Sequence, residues 1–212
     1  MGPANYDARH TVNANAVVAL PIGKGKSLFN DAPKIVDGII GGWQLSTLFT
    51  FHTGNPIGCS ANNQFNTNYL VSSLCILAPG VTNAPATKLQ FDQLGIPSIF
   101  ANTSAGADFV PGYAGQVGYR GMLRGLHNWN DDLAISKVFK VREGQQLSFR
   151  VEAYNLTNTV TFRDPTLSIS QLAGTTSAGG PAAFGSSTFG EITSTANGSA
   201  PRVLQMALRF SF

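Results

Sequence analysis

The chain has 212 residues, enough for one domain, and 12% of them are charged, against about 25% in globular domains. Mean hydropathy is only +0.04, and no run approaches the ~18 apolar residues of a membrane-crossing helix, so a helical membrane protein does not fit. The net charge of +3 comes from scattered Lys and Arg with no basic patch, which argues against nucleic acid as a partner.

Taken in chain order, Met1-Gly2-Pro3-Ala4-Asn5-Tyr6 lacks the charged and apolar regions of a secretory signal. Because the rest of the chain looks exported, the natural start is expected upstream. Arg9–Leu20 is the first expected strand. It sets Val12, Ala14, Ala16, Val18 and Leu20 away from Arg9, Thr11, Asn13 and Asn15. Residues 22–42 form a long link in which Lys34–Ile40 is expected as a brief helix. Within it, Gly23-Lys24-Gly25-Lys26-Ser27 approaches a phosphate-binding loop, but that pattern needs glycine where Leu20 stands. A glycine-rich basic turn is the better reading.

Trp43–Thr53 is the second strand, with Trp43, Leu45, Phe49 and Phe51 facing away from Gln44, Ser46, Thr50 and His52. Residues 58–126 then run as a long Gly-, Ser-, Thr- and Asn-rich connection. Cys59 and Cys75 lie in it, are the only cysteines, and are expected to close a short ring in an oxidising compartment. With no nearby His they cannot complete a metal site.

Trp129–Val141 is the third strand. It groups Trp129, Leu133, Ile135, Phe139 and Val141 against Asn130, Asp132, Ala134, Ser136 and Lys140. Asp131 and Asp132 are strand neighbours pointing to opposite faces, so they cannot share a substrate atom as an acid/base pair. Residues 142–146 make a short turn. Leu147–Phe162 is the fourth strand, and at its start Leu147, Phe149, Val151 and Ala153 alternate with Ser148, Arg150, Glu152 and Tyr154. A turn centred on Gly144 would pair Phe139 with Phe149 and Ser136 with Glu152, keeping the apolar faces together. Lys137 is a misfit among the apolar residues. A bulge near Ser136 could turn it inward, or it could snorkel. A second long connection, 163–200, leads to the last strand, Arg202–Phe212. There Leu204, Met206, Leu208, Phe210 and Phe212 alternate with Val203, Gln205, Ala207, Arg209 and Ser211.

Five strands of about ten residues match a tilted membrane-crossing strand better than the ~5–6 residues usual in soluble sheets. Short turns at one end and long loops at the other are a barrel pattern. The expected fold is therefore all-β: an antiparallel transmembrane β-barrel segment with extracellular loops at 58–126 and 163–200. Asp132, Arg150, Glu152 and Arg209 are expected to face a wet lumen. Trp43 and Trp129, at strand starts, are expected as interfacial aromatics, with outer-membrane lipid against the apolar face. His10, His52 and His127 are far apart in sequence and no local catalytic motif accompanies them, so no catalytic residue, cofactor or metal is expected. Asn102, Asn155 and Asn197 each begin a glycosylation-type triplet, which is expected by chance in a chain rich in Asn, Ser and Thr.

Several stretches, in order, carry a resemblance: Asp7-Ala-Arg-His, Leu20-Pro-Ile-Gly-Lys-Gly-Lys, Gly41-Gly-Trp-Gln-Leu-Ser, Leu123-Arg-Gly and Trp129-Asn-Asp-Asp-Leu-Ala-Ile-Ser-Lys. They continue with Phe149-Arg-Val-Glu-Ala-Tyr-Asn-Leu-Thr-Asn, Phe189-Gly-Glu-Ile-Thr and Pro201-Arg-Val-Leu-Gln-Met-Ala-Leu-Arg-Phe-Ser-Phe. Together they resemble the C-terminal barrel region of TonB-dependent receptors of the Oar-like group. The resemblance leaves 58–116 uncovered. It implies a barrel of about 22 strands, an N-terminal plug and a TonB-contacting segment, and no part of the plug is found in these residues. Residues 1–212 are thus expected to be the last part of a larger barrel in the bacterial outer membrane, since five strands fall short of the ~8 that close one.

The resemblance further implies TonB-dependent uptake of a nutrient or chelate. It also implies that Leu208, Phe210 and Phe212 serve as an assembly signal read by the barrel-assembly machinery. A structural or adhesive outer-membrane role is the first alternative, and a secreted glycan-binding β-sandwich the second.

Overall fold

A computed structural model describes residues 2–64, 72–91, 95–100, 103–112, 118–165, 167–169 and 189–212. Its strands are β1 (Thr11–Ala19), β2 (Trp43–His52), β3 (Pro56–Ile57), β4 (Cys59–Gln64), β5 (Ser72–Leu77), β6 (Gln90–Phe91) and β7 (Pro97–Ser98). They continue with β8 (Phe109–Pro111), β9 (Leu123–Arg124), β10 (Asn128–Arg142), β11 (Gln145–Tyr154), β12 (Leu167–Ser168) and β13 (Val203–Ser211). One helix, α1, spans Lys34–Ile40 as the sequence predicts. The chain divides into two compact units.

One unit holds Thr11–Phe51, Trp129–Val160 and Ala200–Phe212. It is an open five-stranded sheet in the order β1-β2-β10-β11-β13. Its strands are 9, 10, 15, 10 and 9 residues long, which meets the ~9–11 needed to cross a bilayer at a tilt. All five expected strands are present, within a residue or two at each start. The fourth ends at Tyr154, not near Phe162, because Asn155-Leu156-Thr157 turns the chain. Asn155 and Asn158 take left-handed backbone angles, φ 50° and 53°, which Asn tolerates better than most residues.

The β10–β11 register corrects the sequence-based pairing. Phe139 stands opposite Leu147 and Ser136 opposite Arg150, two residues away from the expected partners. The turn is tighter than assumed, with Arg142 opposite Gln145, and the register shifts once between Lys140 and Arg142. The irregularity therefore lies beyond Lys137, not near Ser136. Lys137 pairs regularly with Phe149 and stays on the apolar face. An even slip preserves facing, so Leu147, Phe149, Val151 and Ala153 still align with Phe210, Leu208, Met206 and Leu204.

The other unit holds Met1–His10, His52–Asn128 and Thr161–Ser199. The two long connections thus do not remain structureless. They supply a four-stranded sheet, β12-β4-β5-β8, the strand pair β6-β7, and β9, which pairs with β3 just ahead of the first connection. Leu167 pairs in parallel with Cys59, joining the two connections. A core of Ile57, Cys59, Ala61, Cys75, Ile99, Phe100, Phe109, Leu123, Leu167, Ile169, Phe189 and Ile192 is buried between them. The Phe189 ring stacks on Phe100 with centroids 5.8 Å apart and lies 5.6 Å from Phe109. Residues 170–188, in the second connection, lie outside the described residues, as does Asn102.

Candidate functional site

Side-chain alternation gives the five-stranded sheet two chemically opposite faces. On one, Leu204, Met206, Leu208 and Phe210 of β13 are each at least half exposed. A contiguous apolar surface of this kind marks contact with lipid or another apolar partner. Phe212 comes after them, 94% exposed, with its ring 6.0 Å from that of Phe210.

The opposite face is polar and concave. Asn15, Ser46, Asp132, Arg150, Glu152 and Tyr154, with the apolar Val17 and Leu48 among them, help line a hollow of about 490 Å³ on it. The Arg150 guanidinium donates to the Glu152 carboxylate, with Nε–Oε1 2.8 Å and an ion-pair distance of 2.6 Å. The Tyr154 hydroxyl donates to the other Glu152 oxygen at 3.1 Å. These residues alternate along β11, so all three project to the same side. Arg209 belongs to this face as well, since its strand partner is Ser148. The four residues expected on the polar side therefore share one face, but only Arg150 and Glu152 touch.

Asp132 has a structural task there. Its Oδ1 accepts from the Asn130 side chain at 2.9 Å and from the Asn155 backbone N–H at 2.8 Å. Asn155 is the centre of a turn that sequence reasoning did not single out as structural. Its side-chain amide donates to the carbonyls of Thr159 and Ala200, and its oxygen accepts from Thr159 N–H. Asn158 accepts from Arg202 N–H at 3.0 Å. The Asn-Leu-Thr-Asn stretch thus joins the end of β11 to the approach to β13. Two asparagines able to adopt left-handed angles at a strand end were the available signal. Asp131, pointing the other way, accepts a 2.6 Å hydrogen bond from the Thr47 hydroxyl.

Trp43 and Trp129 lie on the apolar face. Trp43 meets Phe149 edge-on at 6.1 Å, and Trp129 lies 6.3 Å from Phe49. The Trp43 indole N–H donates to the Ile39 carbonyl at 2.9 Å. Lys137 Nζ donates to the carbonyls of Gly38 and Ile39 at 2.6 and 3.0 Å and sits 4.7 Å from the Phe139 ring centroid. Its neighbours on the wall are apolar, yet its charge is satisfied by the free carbonyls at the end of α1.

The basic turn at 23–27 is also internally satisfied. Lys24 N–H donates to the Asp37 carboxylate at 2.6 Å and Gly25 N–H to the Asn30 side chain at 3.0 Å. Amides aimed at the chain's own carboxylate and amide oxygens form no phosphate cradle. Gly23, at φ 119°, is where Asp37 packs, and a Cβ there would collide with it.

In the unit formed by the two connections, Cys59 and Cys75 are joined by a disulfide, and both are fully buried. His10 and His52 lie at the ends of β1 and β2, where His10 N–H meets the Thr53 hydroxyl at 3.1 Å. Asp164 is exposed as a residue, but its carboxyl lies against the Gly125 backbone. Burial pushes its pKa up, and the nearby His52 offsets part of that rise. Asp164 packs directly over Gly125, where no side chain would fit.

The family described as an outer membrane beta barrel domain matches residues 1–205. No curated protein and no solved structure matches the chain.

Proposed function

We propose, from the premise that this chain belongs to the outer membrane beta barrel domain family, that it is the C-terminal wall of a TonB-dependent-receptor-like transporter for a nutrient or chelate. Its location is the bacterial outer membrane. The apolar face then meets lipid, and Asp132, Arg150, Glu152 and Arg209 line the lumen. The observation that carries the transport reading is this charged, hydrogen-bonded inner face around a 490 Å³ hollow. The interior of an outer-membrane barrel is polar and wetted, and paired charge along it suits the passage of a polar solute.

The ordered motifs resembling the Oar-like group support the same reading. They imply that a plug and TonB-contacting segment act with this wall, and that the inner-membrane TonB complex supplies the energy. The unit built from the two long connections is then extracellular and offers a preorganised surface to the ligand. Trp43 and Trp129 act as belt aromatics at the two interfaces. β13 stands at one edge of the described five-stranded sheet, a position from which a strand can add to another sheet. With Leu208, Phe210 and Phe212 it is the element the barrel-assembly machinery reads.

A folded, disulfide-linked unit would equally serve surface attachment, which keeps the structural or adhesive reading as the alternative. Growth separates them. A strain deleted for the complete gene is compared with a tonB deletion across sole iron and carbon sources. Shared loss on one source supports transport. Normal growth on all of them with loss of surface attachment supports the alternative.

A further inference from the structure

We propose that the link between β1 and β2 is a lipid-seated anchor, with α1 lying in the membrane outside the wall and its basic turn contacting anionic headgroup phosphates. This rests on the outer-membrane location alone and is independent of the transport reading. The placement of α1 follows from three contacts on the apolar face. Lys137 stands opposite Phe149, and Phe149 stands opposite Leu208. Lys137 Nζ holds the Gly38 and Ile39 carbonyls, and the Trp43 indole N–H holds Ile39 as well. The C-terminal end of α1 is therefore pinned to the lipid side of the sheet.

What α1 presents to its surroundings is apolar. Ile35, Val36 and Ile39, at spacings that share one helix face, are 82%, 42% and 63% exposed. Leu28 and Phe29 in the same link are 51% and 67% exposed, and Phe29 holds a left-handed φ of 62°. Turning a phenylalanine outward in that conformation is costly in water. Continuity with the lipid-facing wall gives this surface its occupant. Lys24, Lys26 and Lys34 are exposed on the same link. Asp37, the acidic residue of α1, is turned back onto Lys24 N–H. Apolar residues flanked by lysines form the pattern of a segment lying in an anionic interface.

The test uses the full-length barrel protein reconstituted in phosphatidylethanolamine vesicles, with and without phosphatidylglycerol. The described cysteines of this chain are all in the disulfide, so Ile35→Cys and, separately, Ile39→Cys can carry an environment-sensitive fluorophore. Glu143→Cys, on the neighbouring turn, is the aqueous control. Labels at 35 and 39 should be quenched by nitroxide lipid and shielded from aqueous iodide, with the reverse at 143. Lys26→Gln should shift the seated population about fivefold toward water in phosphatidylglycerol vesicles, the equivalent of about 1 kcal/mol per basic residue near an anionic surface. It should have little effect in phosphatidylethanolamine alone. Iodide access at both 35 and 39 would overturn the proposal. So would shielding from both quenchers, which would mean a protein cover. Lipid access without any dependence on phosphatidylglycerol would overturn the headgroup contact.

Discussion

Replacing Lys137 with Met tests whether the cation on the apolar wall is a liability or a fastening. The wild-type ammonium makes two charge-assisted hydrogen bonds to the carbonyls of Gly38 and Ile39, worth about 1.5–3 kcal/mol each. Its contacts with the Trp43 and Phe139 rings add about 0.5–1 kcal/mol. Methionine matches the stem but leaves both carbonyls without that donor. Lys137 is only 6% exposed, so removing it also recovers the cost of desolvating an ammonium, most of which its two carbonyl partners already offset. The hydrogen bonds should win, and Lys137→Met should destabilise the barrel by about 3 kcal/mol. Urea unfolding of the full-length protein in vesicles measures that loss. Hydrogen exchange locates it, since the Gly41 and Asp37 amides, bonded to the Asp37 and Pro33 carbonyls, should lose protection first. A variant as stable as the wild type, or more so, would show that the cost of burying the charge, which is only 6% exposed, dominates and that α1 is not fastened through it.

Cys75→Ser opens a ring of 16 residues' separation and should cost about 3 kcal/mol. Proteolysis should then cleave 58–126 much faster while β10, β11 and β13 stay protected. Asn155→Ala removes three side-chain hydrogen bonds at a left-handed position and should lower stability by about 2–4 kcal/mol. Equal thermal unfolding of variant and wild type would count against the turn's role. Asp164 binds its proton more tightly folded than unfolded, because burial raises its pKa. Its unit should therefore lose stability as pH rises from the ordinary carboxylate value through the higher folded one. Asp164→Asn should flatten that part of the pH profile, read by hydrogen exchange at Gly125. Deleting Phe212 from the full-length protein should block membrane insertion, with the product degraded in the periplasm, whereas Phe51→Ala should insert nearly normally. Equal insertion of both would make Phe212 a wall residue only.

The unit formed by the connections was not legible because its core has no period. Ile99, Phe100, Phe109, Phe189 and Ile192 are far apart in sequence and sit in strands of two or three residues or between strands. Alternation needs four or more residues to register. The parallel pairing of Leu167 with Cys59 joins segments more than a hundred positions apart, which no local window can see. Only the two cysteines hinted that 58–126 was more than loop. Lys137 failed for a related reason. Its partners are backbone carbonyls of a helix about a hundred residues earlier, and a carbonyl carries no sequence signature.

The five-stranded sheet is legible in the sequence, and its register shows why. The expected pairing of Phe139 with Phe149 was wrong by two residues, yet the partition of residues between faces depends only on whether a position is odd or even along its strand. Any even slip exchanges one apolar partner for another. Phe139 meets Leu147 instead of Phe149, and Ser136 meets Arg150 instead of Glu152, with each pair still matched in character. A one-residue slip would instead have set Arg150 and Glu152 beside Leu208 and Phe210 in lipid, at about 2–4 kcal/mol for an arginine at the midplane. That penalty applies to every misplaced charge on the sheet, whereas an even slip incurs none of it. The sequence therefore specifies facing far more strongly than it specifies register. The register itself is left to local geometry at the hairpin, where Gly144 at φ 78° and the shift between Lys140 and Arg142 set it.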